Sequence, residues 1–152
     1  MLPVKKIVCP TDFSDPSYEG LKVAREFAEH FSAEIILVNV IFPGPIIPGV
    51  AEPGFHIPAA LEAMQETAEK ALKDLTRQKR LENLSVRTMV ITGKPSYEIV
   101  NLADEESADI IVIATHGESG LENGDEVVIL THSKNLPDLN ERWAPEQTDK
   151  DD

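Results

Sequence analysis

The sequence predicts an α/β domain built on an open parallel sheet with helices on both faces. Strand and helix patterns alternate along the chain as β-α-β-α-β-α-β, an order typical of parallel strands joined by helical crossovers. The strand patterns at 34–41 and 108–115 are apolar at almost every position, which indicates strands that are covered on both faces. The 152 residues are enough for one domain with its own core.

The chain begins with a strand and a helix. Residues 4–12 predict a buried strand that ends at Pro10, and Cys9 within it is expected to be a buried small apolar residue. A helix is predicted over 14–31, with Ser14 or Asp15 as its cap and a proline in its first turn. Its inward stripe contains Leu21, Ala24, Ala28 and Phe31.

The middle of the chain predicts a second strand and a second helix. The strand at 34–41 is followed by a loop rich in proline and glycine at 42–58, and long ordered loops often lie over ligands. A helix is predicted from Ala59 to about Leu81. Its apolar stripe consists of Leu61, Met64, Ala68, Leu72 and Leu75.

Two more strands and a short helix follow. Residues 85–92 alternate between apolar and polar, which predicts a strand near the sheet edge. Residues 93–107 predict a short helix, and 108–115 predict the fourth strand. The residues of that helix expected to point inward are Ile99, Leu102 and Ala103.

A further apolar run at 126–130 has no obvious place in this alternation. Only about ten residues separate it from the fourth strand, whereas a parallel crossover needs about a dozen or more. It therefore returns antiparallel through the Asn123-Gly124 turn, lies at a dimer interface, or is not a strand. Because the last helix is expected to be missing or shortened, one flank of the sheet needs a partner or a second subunit.

The composition argues against several classes of partner. The net charge of −13 opposes attraction to nucleic-acid backbones and to anionic membranes, although a small anion site of backbone N–H groups is still compatible. A single cysteine cannot form an internal disulfide. No apolar run approaches membrane-spanning length. We therefore expect a cytoplasmic protein with no nucleic-acid or membrane partner.

Candidate binding residues follow the first and fourth strands, since ligands gather at strand ends in open α/β sheets. Asp12 could accept hydrogen bonds from a sugar hydroxyl, or it could cap the next helix or bond its own turn. Gly117 and Gly120 could let backbone approach a phosphate, or they could form an ordinary turn. The sequence places no nucleophile or carboxylate beside His116, which favours a structural role over acid–base chemistry. No metal-ligand spacing is present.

The stretches "KKIVCPTDFSDPSYEGLKVAREFAEHFSAEIILVNVI" and "GKPSYEIVNLADEESADIIVIATHGESGL" resemble the universal stress protein family. The resemblance runs from about Lys5 to Leu121. It implies a Rossmann-like sheet with strand order 3-2-1-4(-5), usually a homodimer, in the cytoplasm and linked to stress survival. It also implies a site for ATP or AMP in some members and for no nucleotide in others, with efficient catalysis in few.

The same resemblance implies the binding residues. Pro10 and Asp12 match the lining of the adenine–ribose pocket, with Thr11 between them, and Val40 matches a residue that contacts the base. The nucleotide-binding residues implied are Pro10, Thr11, Asp12, Val40, Ile113, Ala114, His116 and Gly117. No catalytic residue or metal ligand is assigned.

The phosphate half of that site departs from the family pattern. Ala114 stands in place of the first loop glycine, and Val127 and Val128 fall where a Gly-Ser pair starts the last helix. Valine brings no hydroxyl and prefers strands to helix starts. The alternative alignment, on Gly124-Asp125, puts a carboxylate beside the phosphates. Neither alignment predicts a tight triphosphate site.

These features favour a domain over 1–130 with a divergent, acidic and flexible tail at 131–152. The leading hypothesis is a stress-response binding or signalling module with weak or absent adenine-nucleotide binding and no catalytic activity. One alternative is an ATP-binding member with slow hydrolysis. The other is a protein-interaction module with an empty pocket. A homodimer is expected, and a further protein partner is possible.

Overall fold

The computed structural model describes residues 4–44, 57–79, 81–116 and 125–131, and these residues form five strands and three helices. In chain order the elements are β1 (Lys6–Pro10), α1 (Asp15–Phe31), β2 (Glu34–Ile41), α2 (Ile57–Gln78), β3 (Val86–Thr92), α3 (Pro95–Glu105), β4 (Ile110–His116) and β5 (Asp125–Thr131). Each predicted helix and strand is therefore present, within a few residues of its predicted bounds.

The strands form one sheet in the order β3-β2-β1-β4-β5, which confirms the predicted order. β1 pairs in parallel with β2 and β4, and β2 pairs in parallel with β3. β5 pairs antiparallel with β4. The antiparallel return considered for 126–130 is therefore confirmed, whereas the Asn123-Gly124 turn lies outside the described residues and the placement at a dimer interface stays a prediction. The sheet is thus mixed, because the short connection between β4 and β5 cannot span a parallel crossover.

Helices cover both faces of the sheet, as predicted. α1 and α2 pack on one face and α3 packs on the other. The buried residues of the first face are Ile7, Cys9, Leu21, Ala24, Ala28, Ala33, Ile35, Leu37, Leu72, Leu75, Leu81, Ile110 and Val112. Those of the second face are Val8, Ile36, Val38, Ile99, Leu102, Ala103, Ala108 and Ile111. The predicted inward residues of α3 are all among them.

α1 is capped at both ends and lies close to β4. Ser14 is the N-cap, and its hydroxyl accepts the backbone N–H of Ser17 at 3.4 Å. The C-cap is Ser32, which has a left-handed φ of 55°. A Cβ added at Gly20 would lie 3.2 Å from the backbone nitrogen of Ala114. Glycine at this position therefore lets the helix approach the end of β4, where the candidate site begins.

α2 is longer than the strands that it covers. Its 22 residues span about 33 Å, whereas the eight residues of β2 span roughly 26 Å. Ala68, Leu72 and Leu75 are buried as the stripe predicts, but Met64 is 47% exposed. Met64 lines an apolar groove with Phe13 and Ile41, so it lies on the predicted stripe, but the open groove leaves its side chain unburied.

An ion-pair network ties the edge strand β3 to the end of α3. The Nη2 atom of Arg87 lies 3.1 Å from Oε1 of Glu34 and 2.6 Å from Oε2 of Glu106. The Nζ atom of Lys6 lies 3.3 Å from the same oxygen of Glu106. Hydrogen bonds from Arg87 and then from Lys6 hold the pKa of the Glu106 carboxyl below its usual range. β3 lies at one edge of the described sheet, as predicted.

Some predictions fall outside the described residues. These are Gly117, most of the loop at 42–58, the fate of the last helix and the tail beyond Thr131. No helix in the described part of the chain has both the length and the apolar character needed to cross a membrane. Among the same residues, no group of three or more His, Cys, Asp or Glu side chains is arranged to hold a metal ion.

Candidate functional site

A cleft of about 260 Å³ opens where β1, β2 and β4 end. β1 has β2 on one side and β4 on the other, so the cleft lies at the switch point where open α/β sheets form ligand crevices. Its lining residues are Pro10, Thr11, Asp12, Ser17, Val40, Pro95, Ile99, Ile113 and Ala114. Six of the eight implied site residues are thus brought together. The side chain of His116 and all of Gly117 lie outside the described residues.

Thr11 holds the turn between β1 and α1 against the sheet. Its N–H donates to the carbonyl of Val38 at 2.8 Å, which extends the pairing of β1 with β2 by one residue. Its Oγ1 accepts the N–H of Phe13 at 3.1 Å and lies 2.9 Å from Oγ of Ser17. The side chain is buried, and its hydroxyl already has partners. Thr11 therefore shapes this end of the cleft.

Asp12 lies at the exposed rim of the cleft. Its Oδ1 accepts the backbone N–H of Ser14 at 3.0 Å and also the Ser14 hydroxyl, so the carboxylate bonds its own turn. A contact with ribose stays a prediction that this turn allows, because a carboxylate has about four acceptor positions. Desolvation raises the pKa of Asp12, but the hydrogen bonds from Ser14 outweigh it and leave the pKa below its ordinary value. The group is negatively charged at neutral pH.

Apolar side chains supply much of the remaining lining. Val40 comes from β2, Ile113 from β4 and Ile99 from α3, and all three belong to the core of the second face. Such a surface can hold the face of a heteroaromatic base. Sequence reasoning missed Pro95 and Ile99 of α3, as it missed Ser17. Positions 95 and 99 are one helical turn apart, and this spacing, together with the predicted inward position of Ile99, was the available signal.

The resemblance implies that a phosphate loop ends at positions 127 and 128, but both positions lie in β5. Val127 pairs with Ala114, and Val128 pairs with Ile113. Both valines therefore lie in a strand and not in the first turn of a helix. A strand does not present converging N–H groups and a positive dipole end as a helix N-terminus does. The two valines therefore do not supply the helix start that the resemblance implies for phosphates.

The electrostatics of the cleft point the same way. Its described lining contains one carboxylate, that of Asp12, and no lysine or arginine. A negative charge at the rim repels a polyphosphate, whereas an uncharged nucleoside is not repelled. The arrangement can accept a flat apolar group and a hydroxyl donor.

The fold and the cleft define a Rossmann-like α/β domain with a cleft at its strand ends. The model of the universal stress protein family matches residues 3–131. The chain belongs to this family, and the resemblance is confirmed.

Relatives agree with that assignment. The chain is 36% identical over 118 residues to universal stress protein MJ0531 of Methanocaldococcus jannaschii, a match that covers 78% of this chain and 68% of that protein. The solved structure of MJ0577 from the same organism has a TM-score of 0.58 at 26% identity, over 80% of this chain and 82% of its own. UspA from Lactobacillus plantarum has a TM-score of 0.62 at 19% identity over 95% of both chains, which shows the shared fold.

Proposed function

We propose that this universal stress protein is a non-catalytic binding module of the cytoplasmic stress response, whose cleft binds adenosine weakly and gains little from phosphates. The observation that carries the proposal is the composition of the cleft. The residues implied for adenosine converge there, while valines of a strand replace the residues implied for phosphate. Slow ATP hydrolysis is disfavoured because it needs a firmly held triphosphate.

The adenosine half of the proposal is supported by shape and chemistry. Val40, Ile99 and Ile113 offer an apolar wall, and Asp12 offers a charged acceptor for a ribose hydroxyl. The volume of about 260 Å³ lies below the roughly 300–1,000 Å³ of pockets that enclose drug-sized ligands. A nucleoside is therefore covered only in part.

The expected affinity is low. Adenosine has about 19 heavy atoms, and about −0.3 kcal/mol per atom is usual for ligands of larger size. The resulting value of about −6 kcal/mol corresponds to a Kd of about 0.05 mM. Partial coverage of the ligand makes the expected binding weaker than this value.

Titration of the purified full chain with adenosine, AMP and ATP tests the proposal. Chemical-shift perturbation suits the expected affinity, and resonances of Val40, Ile99 and Ile113 locate the site. We expect adenosine to bind at least as tightly as ATP. Micromolar ATP binding with more than about a tenfold preference over adenosine, or about 1.4 kcal/mol, would refute the proposal and favour the ATP-binding alternative.

The charge of Asp12 gives a sharper comparison. Asp12→Asn keeps an oxygen that accepts the Ser14 N–H but removes the negative charge, so it should improve ATP binding relative to adenosine binding. Asp15→Asn is the matched control, because Asp15 is exposed in the first turn of α1 and does not line the cleft. If both variants changed the ATP-to-adenosine affinity ratio equally, the net charge of the protein, and not the charge in the cleft, would determine that ratio.

A homodimer formed through β5 is the second part of the proposal. β5 is an edge strand among the described strands, and Ile129 on it is 38% exposed. Unpaired strand edges with apolar side chains favour pairing with another chain. Sedimentation of the full chain should show a dimer that Ile129→Lys weakens. Met64→Lys, at an exposed apolar residue of α2, is the control, and a monomeric wild type would contradict the dimer.

A further inference from the structure

Asn39 is the one polar residue within the apolar stretch Ile35–Ile41 of β2. It is half-buried on the face covered by α1 and α2, where it lines an apolar groove with Phe13 and Ile41. A partly buried amide in apolar surroundings costs free energy unless it is hydrogen-bonded. The Asn39 amide therefore needs a hydrogen-bond partner.

The partner is the turn that follows β1. The Nδ2 atom of Asn39 donates to the carbonyl oxygen of Thr11 at 2.8 Å. The last pair in the register of β1 and β2 is Pro10 with Val38, and the N–H of Thr11 still donates to the Val38 carbonyl. The carbonyl of Thr11 therefore marks the point where the chain leaves the sheet. There a side-chain amide replaces the backbone partner.

This hydrogen bond determines how the chain enters Asp12. The carbonyl of Thr11 and the N–H of Asp12 belong to the same planar peptide unit. Holding that carbonyl restrains this peptide plane, and with it the position of the Asp12 Cα from which the side chain projects. On the other side of the turn, Oγ1 of Thr11 accepts the Phe13 N–H, and Phe13 adopts a left-handed φ of 65°. The turn is thus held by one hydrogen bond within itself and by another from Asn39 of β2.

We propose that Asn39 is a positioning residue for the cleft, which orients the Asp12 carboxylate by holding the Thr11 carbonyl. Asn39 does not line the cleft, so it acts on a ligand only through the turn. Its effect on binding rests on the proposed function. Its effect on the geometry of the turn does not.

The test uses two uncharged variants and one matched control. Asn39→Leu and Asn39→Ala both remove the amide donor without adding a charge near Asp12, and the smaller alanine serves if the leucine variant fails to fold. Thr67→Val is the control, because Thr67 lines the same groove and its hydroxyl donates to Ala63 within its own helix at 2.9 Å. The first measurement is the NMR titration of the Asp12 carboxyl in the ligand-free protein.

We expect the pKa of Asp12 to rise toward its ordinary value in both Asn39 variants and to stay unchanged in Thr67→Val. Adenosine affinity should fall by about threefold to tenfold, the range expected for one lost hydrogen bond. An unchanged Asp12 titration in the folded Asn39 variants would overturn the inference. If the wild type binds no adenosine, the proposed function fails, and the titration alone decides the role of Asn39.

Discussion

Gly20→Ala should destabilise the protein, although alanine is normally the better residue within a helix. Gly20 lies inside α1, where an alanine favours the helix by about 1 kcal/mol. The added methyl group would, however, lie 3.2 Å from the backbone nitrogen of Ala114 and 3.4 Å from its Cβ. Propensity and packing therefore oppose each other at one residue.

The structure decides which effect is larger. Ala114 pairs with Val127 of β5, whereas the pairing of β4 with β1 ends at Ile111, so moving the backbone of Ala114 away from α1 would disturb its pairing with β5. Inserting a methyl group into such a contact typically costs about 1–3 kcal/mol. After the gain in helix propensity, we expect Gly20→Ala to lower the free energy of unfolding by up to about 2 kcal/mol.

Urea unfolding followed by far-UV circular dichroism measures this difference. Ala63→Gly, at an exposed position of α2, calibrates the helix propensity in the same protein and should cost about 1 kcal/mol. If Gly20→Ala raised the free energy of unfolding by the amount that Ala63→Gly lowers it, the close contact with β4 would have no energetic effect and the reasoning would be refuted.

Three further predictions concern the core, the thiol and the ion pairs. Leu72→Ala should cost about 2–5 kcal/mol because the side chain is fully buried, whereas Met64→Ala should cost about 1 kcal/mol or less; equal urea midpoints would contradict this. Burial raises the pKa of the Cys9 thiol to about 12, so a thiol reagent at pH 8 should label Cys9 only as the protein unfolds, and a fast phase in the native protein would be the opposing result. Arg87 lowers the pKa of Glu106. Their ion pair therefore stabilises the fold above the ordinary glutamate pKa of about 4.3, and this stabilisation is lost as the pH falls through the lowered pKa. The difference in unfolding free energy between wild type and Arg87→Leu should shrink from pH 7 to pH 3, and a constant difference would argue against the pair.

The sequence allowed the sheet, its helices and most of the core to be predicted because apolar periodicity reports burial directly. The run at 34–41 has apolar residues at positions that face both sides of a strand. β2 spans the same residues and has a neighbouring strand on each side. Periodicity could not show that Met64 would line an open groove and not a closed core, since that depends on how α2 packs against the sheet. It also could not choose between the three placements of 126–130.

From the residues alone, the site was predictable only after a strand end, where Asp12 follows β1. Pro10, Thr11 and Val40 were placed in the site by the family resemblance, and Ile99 was classed as a core residue because apolar packing and ligand contact have the same pattern. The role of Asn39 was not visible, because its partner Thr11 lies 28 residues away along the chain. Contacts of this kind depend on strand register, which a single sequence does not encode locally.

Because β5 runs antiparallel to β4, its last residue lies close to the beginning of β1. Ile7 pairs with Ile110, and Ile110 pairs with Thr131, so the first and last described strands meet in one row across three neighbouring strands. At about 4.8 Å per strand, the backbones of Ile7 and Thr131 are roughly 10 Å apart. That row lies at the end of the strands opposite the cleft. A short linker could therefore close the domain into a circle, and a circular permutant opened at the exposed turn near Glu82 would keep the cleft unobstructed.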